Sequence, residues 1–313
     1  MSDDEKIDEF GLIAEWLAPL ADNPTAMRLS DDAAQLIVPD GQALVISTDM
    51  LVAGVHFPID GDAALVARRM LACNISDLAA KGAKPYGCFL NLGVPENWDT
   101  AFLKDFVATL GAGLEKYDMQ LWGGDTVRAA QGFAGLTVHG LLPEGEMLTR
   151  RGAHDGDDIY VTGTIGDGFL TLPSLGVAYA DPQPPIDFGQ AVRCVATSAI
   201  DISDGLLADL EHICRASQGG MTIEADLIPL STDGRAHDNL QDLVTGGDDL
   251  QIAFTAPSAE ADALRALAER HATKLSRIGS FKKGATPCVI LQAADGRDIA
   301  FDIDPDKRGF RHF

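Results

Sequence analysis

The chain has 313 residues, of which 46% are apolar, and its 47 acidic side chains outnumber its 24 basic ones to give a formal net charge of −23. A field of this sign disfavours nucleic acid and anionic membrane surfaces as partners. The length exceeds the size at which a single hydrophobic core usually stops growing, so two domains are expected.

The sequence has neither a membrane span nor the marks of an exported protein. No stretch approaches the roughly 20 apolar residues of a spanning helix, and the segment MSDDEKIDEF is acidic where a secretory signal is basic. The cysteines are odd in number and form no CxxC pair, which argues against a disulfide framework and a structural zinc. A cytoplasmic protein with reduced thiols is therefore predicted. The cysteines are Cys73, Cys88, Cys194, Cys214 and Cys288.

Hydrophobic periodicity predicts an α/β protein in which helices and strands alternate. In chain order, we predict a helix at 8–20, a strand at 43–47 leading to Asp49, a helix at 62–83, a strand at 86–94, a helix at 99–117, strands at 135–142, 158–162 and 196–202, and a helix at 205–216. The proline-rich segment 181–187 is expected to be irregular. A polar turn near residue 150, LTRRGAHDGDD, opens the second alternating pattern, so one domain is predicted at 1–148 and another at 149–313.

Aspartates recur at the ends of apolar runs, beside glycine or serine. Ligand sites of α/β proteins lie at the carboxyl ends of strands, and oxygen donors without cysteine or histidine spacing suit Mg²⁺ better than zinc. For a single Asp-Gly pair a turn or helix cap is the commoner explanation, at roughly three to one, and we assign Asp167 and Asp233 to it. The recurring acids are Asp31, Asp32, Asp49, Asp77, Asp125, Asp201, Asp204, Asp248 and Asp249.

One group of these acids lies where a predicted strand ends and a helix begins. There, Asp201, Ser203 and Asp204 fall within the run AIDISDG. At such a position a hydroxyl and free backbone N–H groups can bind phosphate oxygens while the carboxylates hold a bridging metal ion. The chain contains neither a GxxxxGK[ST] loop nor the HRDxxxxN and DFG motifs of protein kinases. The residues alone therefore predict a magnesium and phosphate site without naming a substrate.

Two basic residues leave alternatives open. His56, in GVHF, is about equally well explained as a packed histidine and as a substrate contact. Arg150 suits a phosphate clamp in the loop between the domains, but a surface ion pair explains its position equally well.

Eight segments, taken in order, closely resemble the thiamine-monophosphate kinase family, which belongs to the aminoimidazole ribonucleotide synthetase superfamily. The resemblance extends from about Phe10 to Phe313. The segments are DDAA, STDMLVAGVHF, NISDLAAKGAKP, MQLWGGDT, LTRRGA, DDIYVTGTIGDG, SAIDISDGL and GGDD.

This resemblance implies a two-domain aminoimidazole ribonucleotide synthetase-like fold. The N-terminal α/β domain would join its strands to those of a second copy in a barrel, giving a homodimer, and a C-terminal α/β domain would follow. ATP and several magnesium ions would lie in the cleft between the domains. The implied activity is direct in-line transfer of a phosphoryl group from ATP to thiamine monophosphate, with no residue acting as a covalent nucleophile and with a potassium requirement left open.

The resemblance also assigns roles to individual residues. It implies metal ligation by Asp32, Ser47, Thr48, Asp49, Asp77, Asp125, Asp201 and Asp204. It implies ATP contacts from Gly124, Asp125, Arg150 and Ser203, and substrate contacts from His56, Asp248 and Phe310.

Two other functions compete with this one. The first is another ATP-dependent enzyme of the same superfamily. The second is a non-catalytic regulator that binds nucleotide or metal, which is favoured by the segment GGDD standing where the family commonly has GGED.

Overall fold

The computed structural model describes residues 7–299 and 309–310. The chain divides into two compact units. The first comprises Met1–Ile75 and Pro85–Glu144, and the second comprises Ser76–Lys84 and Gly145–Phe313. The division therefore falls inside one helix, which contributes residues to both units.

The first unit is built on a four-stranded sheet with the strand order β1-β4-β2-β3. Strands β1 and β4 are antiparallel, and β2 and β3 are parallel. A π-helical segment, Leu12–Leu17, and short 3₁₀ turns precede the sheet. The elements are α1 (Glu9–Gly11), β1 (Gln42–Val52), α2 (Ala63–Lys81), β2 (Lys84–Val94), α3 (Thr100–Lys116), β3 (Gln120–Arg128) and β4 (Phe133–Pro143).

The long helix α2 has a defined start and end. The carboxylate of Asp62 accepts a hydrogen bond from the N–H of Leu65 (2.7 Å), as a helix-capping side chain does. The helix ends at Gly82, whose φ of +68° lies in the left-handed region that glycine adopts without strain. The N–H groups of Gly82 and Ala83 then donate to carbonyls of the last turn. These signals match the predicted helix at 62–83.

The second unit contains a six-stranded sheet with the order β10-β7-β9-β5-β8-β6. The β10-β7 pair is parallel and the other pairs are antiparallel. Its elements are β5 (Asp158–Thr162), α4 (Asp167–Thr171), α5 (Val177–Ala180), α6 (Ile186–Val192), β6 (Ser198–Ile202), α7 (Leu206–Ser217), β7 (Gly219–Glu224), α8 (Thr232–Ala236), α9 (Leu240–Thr245), β8 (Gln251–Ala256), α10 (Ala261–Arg270), β9 (Leu275–Lys283) and β10 (Val289–Gln292).

The core of this unit explains why β6 and α7 are fixed in position. All five residues of β6 are buried. Helix α7 buries Leu206, Leu210 and Ile213, which recur at helical spacing and belong to the same apolar cluster as Ile200 and Ile202. The loop that joins β6 to α7 is therefore held at both ends by the core.

The mixed α/β fold is confirmed, and most predicted elements agree with the structure to within a few residues. The strand predicted at 43–47 is wrong in length, because β1 continues to Val52. Thr48 and Asp49 pair with Thr137 and Leu136 of β4, so Asp49 lies inside the strand and not after its end. The prediction missed β3, since Gly123 and Gly124 are typical of a turn.

Two other differences concern helices. The helix predicted at 8–20 is a succession of short α, π and 3₁₀ segments, and Pro19, which lacks an N–H, lies in the last of them. The irregular segment predicted at 181–187 ends earlier than expected, because α6 begins at Ile186. Among the described residues, no helix combines the length and the apolar character that a membrane span requires.

Candidate active site

In the first unit, a buried asparagine on α2 holds the backbone of Asp49. The Oδ1 atom of Asn74 accepts from the N–H of Asp49 (2.9 Å), and its Nδ2 atom donates to the carbonyls of Asp49 (3.3 Å) and Met70 (2.8 Å). Asn74 is fully buried. Because these bonds involve only the backbone of Asp49, its exposed carboxylate is not part of the clamp.

The neighbouring predicted ligands lie on the same strand. The Thr48 hydroxyl donates to the carbonyl of Leu136 (3.0 Å), which fixes the direction of its oxygen. Ser47 precedes Thr48 and is half-buried. Asp32 is exposed in a separate loop, where its N–H donates to Asp31 Oδ1 (2.8 Å).

The predicted ATP-contact residues Gly124 and Asp125 lie within β3, opposite Leu90 and Asn91 of β2. A Cβ atom at position 124 would lie 1.8 Å from the Leu90 carbonyl oxygen, and φ there is +155°. Glycine is therefore required at this position by the strand pairing itself. The adjacent Asp125 is exposed.

His56 has a defined tautomer when neutral. Its Nδ1 atom accepts from the N–H of Val52 (3.0 Å), so the proton of the neutral ring is on Nε2. The carbonyl of His56 accepts from the Nε atom of Arg69 (3.2 Å), which is almost fully buried. The backbone of His56 is thus fixed from α2.

In the second unit, Asp209 anchors the loop between β6 and α7. One of its carboxylate oxygens, Oδ2, accepts from three consecutive N–H groups, those of Ser203 (3.0 Å), Asp204 (3.1 Å) and Gly205 (3.1 Å). Only 3% of Asp209 is exposed. The sequence predicted free N–H groups here, whereas these three donate to a side chain of the protein. Phosphate binding at this loop stays a prediction.

The charge of Asp209 is strongly influenced by its surroundings. Burial raises the pKa of its carboxyl group well above the ordinary range, and the neighbouring carboxylates of Asp201 and Asp204 raise it further. The N–H groups of the loop act in the opposite direction. Three acids of the second unit therefore lie close enough to interact electrostatically.

The same loop brings two predicted substrate-contact segments together. The N–H of Asp248 donates to the carbonyl of Ser203 (2.9 Å), and the N–H of Phe310 donates to the carbonyl of Asp204 (3.0 Å). Residues assigned to metal, ATP and substrate thus meet at one short piece of backbone. Asp201 lies just before it on β6, and is 7% exposed.

Asp249, next to Asp248, holds the glycine-rich turn that precedes α4. Its two carboxylate oxygens accept from the N–H groups of Gly166 (2.8 Å) and Gly168 (3.1 Å). A Cβ atom on Gly168 would lie 2.4 Å from the carbonyl oxygen of Asp248, so only glycine allows this contact. The bond from Thr164 to Asp167 agrees with the predicted turn role of Asp167, whereas the bond from Ser231 joins it to a distant segment.

Asp77 and Arg150 lie in the second unit with Lys81. Burial lowers the pKa of Lys81, the carboxylates of Asp201 and Asp77 raise it, and the guanidinium of Arg150 lowers it. These four charged groups therefore share one environment. Asp77 lies in α2, in agreement with the helix predicted at 62–83.

The oxygen donors suit a Mg²⁺ ion that also binds substrate phosphates and water. Within residues 7–299 and 309–310, no three His, Cys, Asp or Glu side chains converge to hold a metal ion. In the second unit Asp209 is committed to the backbone, which leaves Asp201 and Asp204 as the adjacent carboxylates. Magnesium is typically held by one or two carboxylates together with substrate phosphates and water, so two acids suit it.

Four residues that shape these sites were not predicted to do so from the sequence: Asn74, Lys81, Asp209 and Asp249. Asp209 gave a usable signal, since an acid four residues after Gly205 lies in the first turn of α7, close to N–H groups that have no helical partner. The other three depend on contacts between segments distant in the chain.

Comparison with known proteins defines the class first. Residues 30–142 match the family described as AIR synthase related protein, N-terminal domain. The fold is shared with a structure of AaThiL complexed with AMPPCP and TMP, at 24% identity and a TM-score of 0.74 over the whole of both chains. Residues 30–142 thus match an AIR synthase-related N-terminal domain, and the chain shares its fold with that solved structure.

Relatives that match nearly the whole chain identify its family. The chain is 39% identical to the thiamine-monophosphate kinase of Escherichia coli (strain K12), over 97% of this chain and 98% of that one. It is 33% identical to the crystal structure of the thiamine-monophosphate kinase from Stenotrophomonas maltophilia K279a, which covers 94% of this chain and 98% of that one with a TM-score of 0.82. The chain belongs to the thiamine-monophosphate kinase family, and it is an enzyme.

The titration of Asp249 gives a test of the second unit. Burial raises the pKa of Asp249 to about 7 in the folded state, against about 3.9 in an unfolded chain. The folded protein therefore holds this proton more tightly, and the resulting stability is complete below about pH 4 and lost as the pH rises through about 7. We expect the wild type to lose more stability than Asp249→Asn between about pH 5.5 and 8.5, as measured by urea unfolding.

Asp226→Asn serves as the control for this measurement, because Asp226 is exposed. It should follow the wild type at both pH values. Equal losses of stability in the wild type and in Asp249→Asn would contradict the assigned titration.

Proposed function

We propose that this protein transfers the terminal phosphoryl group of ATP directly to the phosphate of thiamine monophosphate, with the assistance of several magnesium ions. The observation that carries this proposal is the Ser203–Asp204 backbone, which bonds to both Asp248 and Phe310. Those are the residues that the family resemblance assigns to the substrate, and they adjoin residues assigned to ATP and metal. The full-length similarity to thiamine-monophosphate kinases supports the same reaction.

Each unit contains proposed metal ligands. From the first unit they are Asp32, Ser47, Thr48, Asp49 and Asp125, and from the second Asp77, Asp201 and Asp204. When bound, magnesium ions would offset the repulsion between the two phosphate-bearing reactants and the charge that develops in transfer. The residues themselves supply oxygen donors whose backbones are held by other side chains, as Asn74 holds Asp49 and Asp209 holds Asp204.

No strong base is required of the protein. The acceptor is a phosphate whose second pKa is about 6, so it is already ionised at neutral pH. Since Nδ1 of His56 accepts from Val52, its Nε2–H is the group that we assign to an oxygen of the acceptor. Gly124, Asp125, Arg150 and Ser203 are the proposed ATP contacts, with Arg150 binding phosphate through its guanidinium.

The thiamine part of the acceptor has a chemistry that suits Asp248 and Phe310. Its thiazolium ring is aromatic and cationic, which a carboxylate and an aromatic ring face both attract. Phe310 is 47% exposed, and Asp248 has a positive φ of 70° that fixes the direction of its side chain. Non-glycine residues adopt this conformation infrequently, and Asp is among the residues that do so most readily.

We also propose a homodimer located in the cytoplasm. In the first unit, β1 is at one edge of the sheet, and Ile46 (59% exposed) and Met50 (55% exposed) share one of its faces. Exposed apolar side chains of this kind are typical of interfaces. ATP as co-substrate and the five free cysteines suit a reducing compartment. Sedimentation at micromolar concentration should give a dimer, and a monomer in the wild type would contradict this assembly.

The activity is tested by incubating the purified protein with ATP, magnesium and thiamine monophosphate. We expect stoichiometric thiamine diphosphate and ADP. Asp204→Asn should lower kcat at least about 100-fold, yet remain folded, because the contacts of Asp204 with Asp209 and Phe310 use its backbone. The exposed Asp233, on α8, provides the matched control Asp233→Asn, which should turn over normally.

Two outcomes would contradict the proposal. Nucleotide binding without any thiamine diphosphate, across a range of magnesium concentrations, would favour the non-catalytic regulator. Near-normal turnover by Asp204→Asn would remove the metal assignment in the second unit.

A further inference from the structure

Lys81 is the last residue of α2, and its backbone is held firmly in the second unit. Its carbonyl accepts from the N–H of Leu148 (3.3 Å). The carbonyl of the next residue, Gly82, accepts from the guanidinium of Arg193 (2.7 Å). The side chain of Lys81 therefore starts from a fixed point.

The ammonium group of Lys81 reaches strand β6. Its Nζ atom donates to the carbonyl of Ala199 (3.3 Å), and the N–H of Ala199 donates to Thr149 (3.0 Å). Because β6 is at the end of the sheet order, these bonds cover its outer edge. Residues two apart in a strand share a face, so the side chain of Asp201 lies on the same face as that of Ala199.

The charges around Lys81 are mainly negative. Burial is the largest influence and lowers the pKa of Lys81, whereas the carboxylates of Asp201, on β6, and Asp77, one turn earlier on its own helix, raise it. Arg150 acts against them. A positive charge of the protein thus lies among acids that are candidates for holding a divalent ion.

We propose that the ammonium group of Lys81 partly neutralises the carboxylates of Asp77 and Asp201. It thereby weakens their binding of divalent ions when no nucleotide is bound. This inference rests on the proposed function, which assigns both acids to metal binding. The consequence is that tight binding of divalent ions requires bound nucleotide. Divalent ions bind tightly at these acids only when a nucleotide contributes its own phosphate oxygens.

A purely structural role would also place Lys81 at the edge of β6, so the test must separate charge from hydrogen bonding. Lys81→Gln removes the charge and keeps an N–H donor for Ala199. Lys81→Arg keeps the charge. Lys282, on β9 and largely exposed, provides Lys282→Met as a control with the same loss of net charge as Lys81→Gln.

The measurement is the affinity of the full-length protein for Mn²⁺, a spin-active substitute for Mg²⁺, by electron paramagnetic resonance and calorimetry. Without nucleotide, Lys81→Gln should bind Mn²⁺ at least about tenfold more tightly than the wild type, since a unit positive charge that interacts with both acids is removed. Lys81→Arg and Lys282→Met should match the wild type. With AMPPCP present, the difference between Lys81→Gln and the wild type should shrink.

Each contrary result has a distinct meaning. Equal affinities of Lys81→Gln and wild type, together with weaker binding by Asp204→Asn, would overturn the role of Lys81 and leave the metal site intact. Absence of Mn²⁺ binding by every variant, with and without AMPPCP, would overturn both this inference and the metal part of the proposed function. Tighter binding by Lys282→Met, equal to that of Lys81→Gln, would show a general effect of net charge and overturn the specific role.

Discussion

The second unit depends on one buried interaction, the acceptance of three consecutive N–H groups by Asp209. A carboxylate removed from water is costly unless it is hydrogen bonded, and the N–H groups of Ser203, Asp204 and Gly205 provide those bonds. The N–H groups equally need an acceptor, since the start of α7 leaves them without helical partners. Carboxylate and loop therefore stabilise each other, and the carbonyls of the loop can then receive Asp248 and Phe310.

This arrangement leaves the N–H groups of the loop before α7 bonded to a side chain of the protein. Many phosphate sites use N–H groups near a helix start. The proposed function therefore assigns phosphate binding to side chains: the carboxylates of Asp201 and Asp204 through metal ions, the Ser203 hydroxyl and Arg150. The first unit follows the same design, because Asn74 holds the backbone of Asp49 and not its carboxylate. In both units a neighbouring side chain fixes the loop or strand that carries the acid.

The sequence predicted the fold well where periodicity is strong, as in α2 and in β5. It failed where tertiary pairing overrides local signals: β3 contains Gly123 and Gly124, and β1 continues through polar residues because β4 pairs with them. Ordered motifs identified the family and the candidate acids. They could not identify Asp209, which is typical of an ordinary acid in the first turn of a helix, or Lys81, which is typical of a basic residue in the last turn. The partners of Asp209 are local but are backbone groups that no motif identifies, and the partner of Lys81 is distant in the chain.

The most direct test of this account is a crystal structure of the protein with Mn²⁺ and AMPPCP, using anomalous scattering to locate the metal. The account predicts manganese at the carboxylates of Asp201 and Asp204, with Asp209 still bonded to the three N–H groups of the loop. Phosphate oxygens bound to those N–H groups, with the Asp209 side chain displaced, would contradict it.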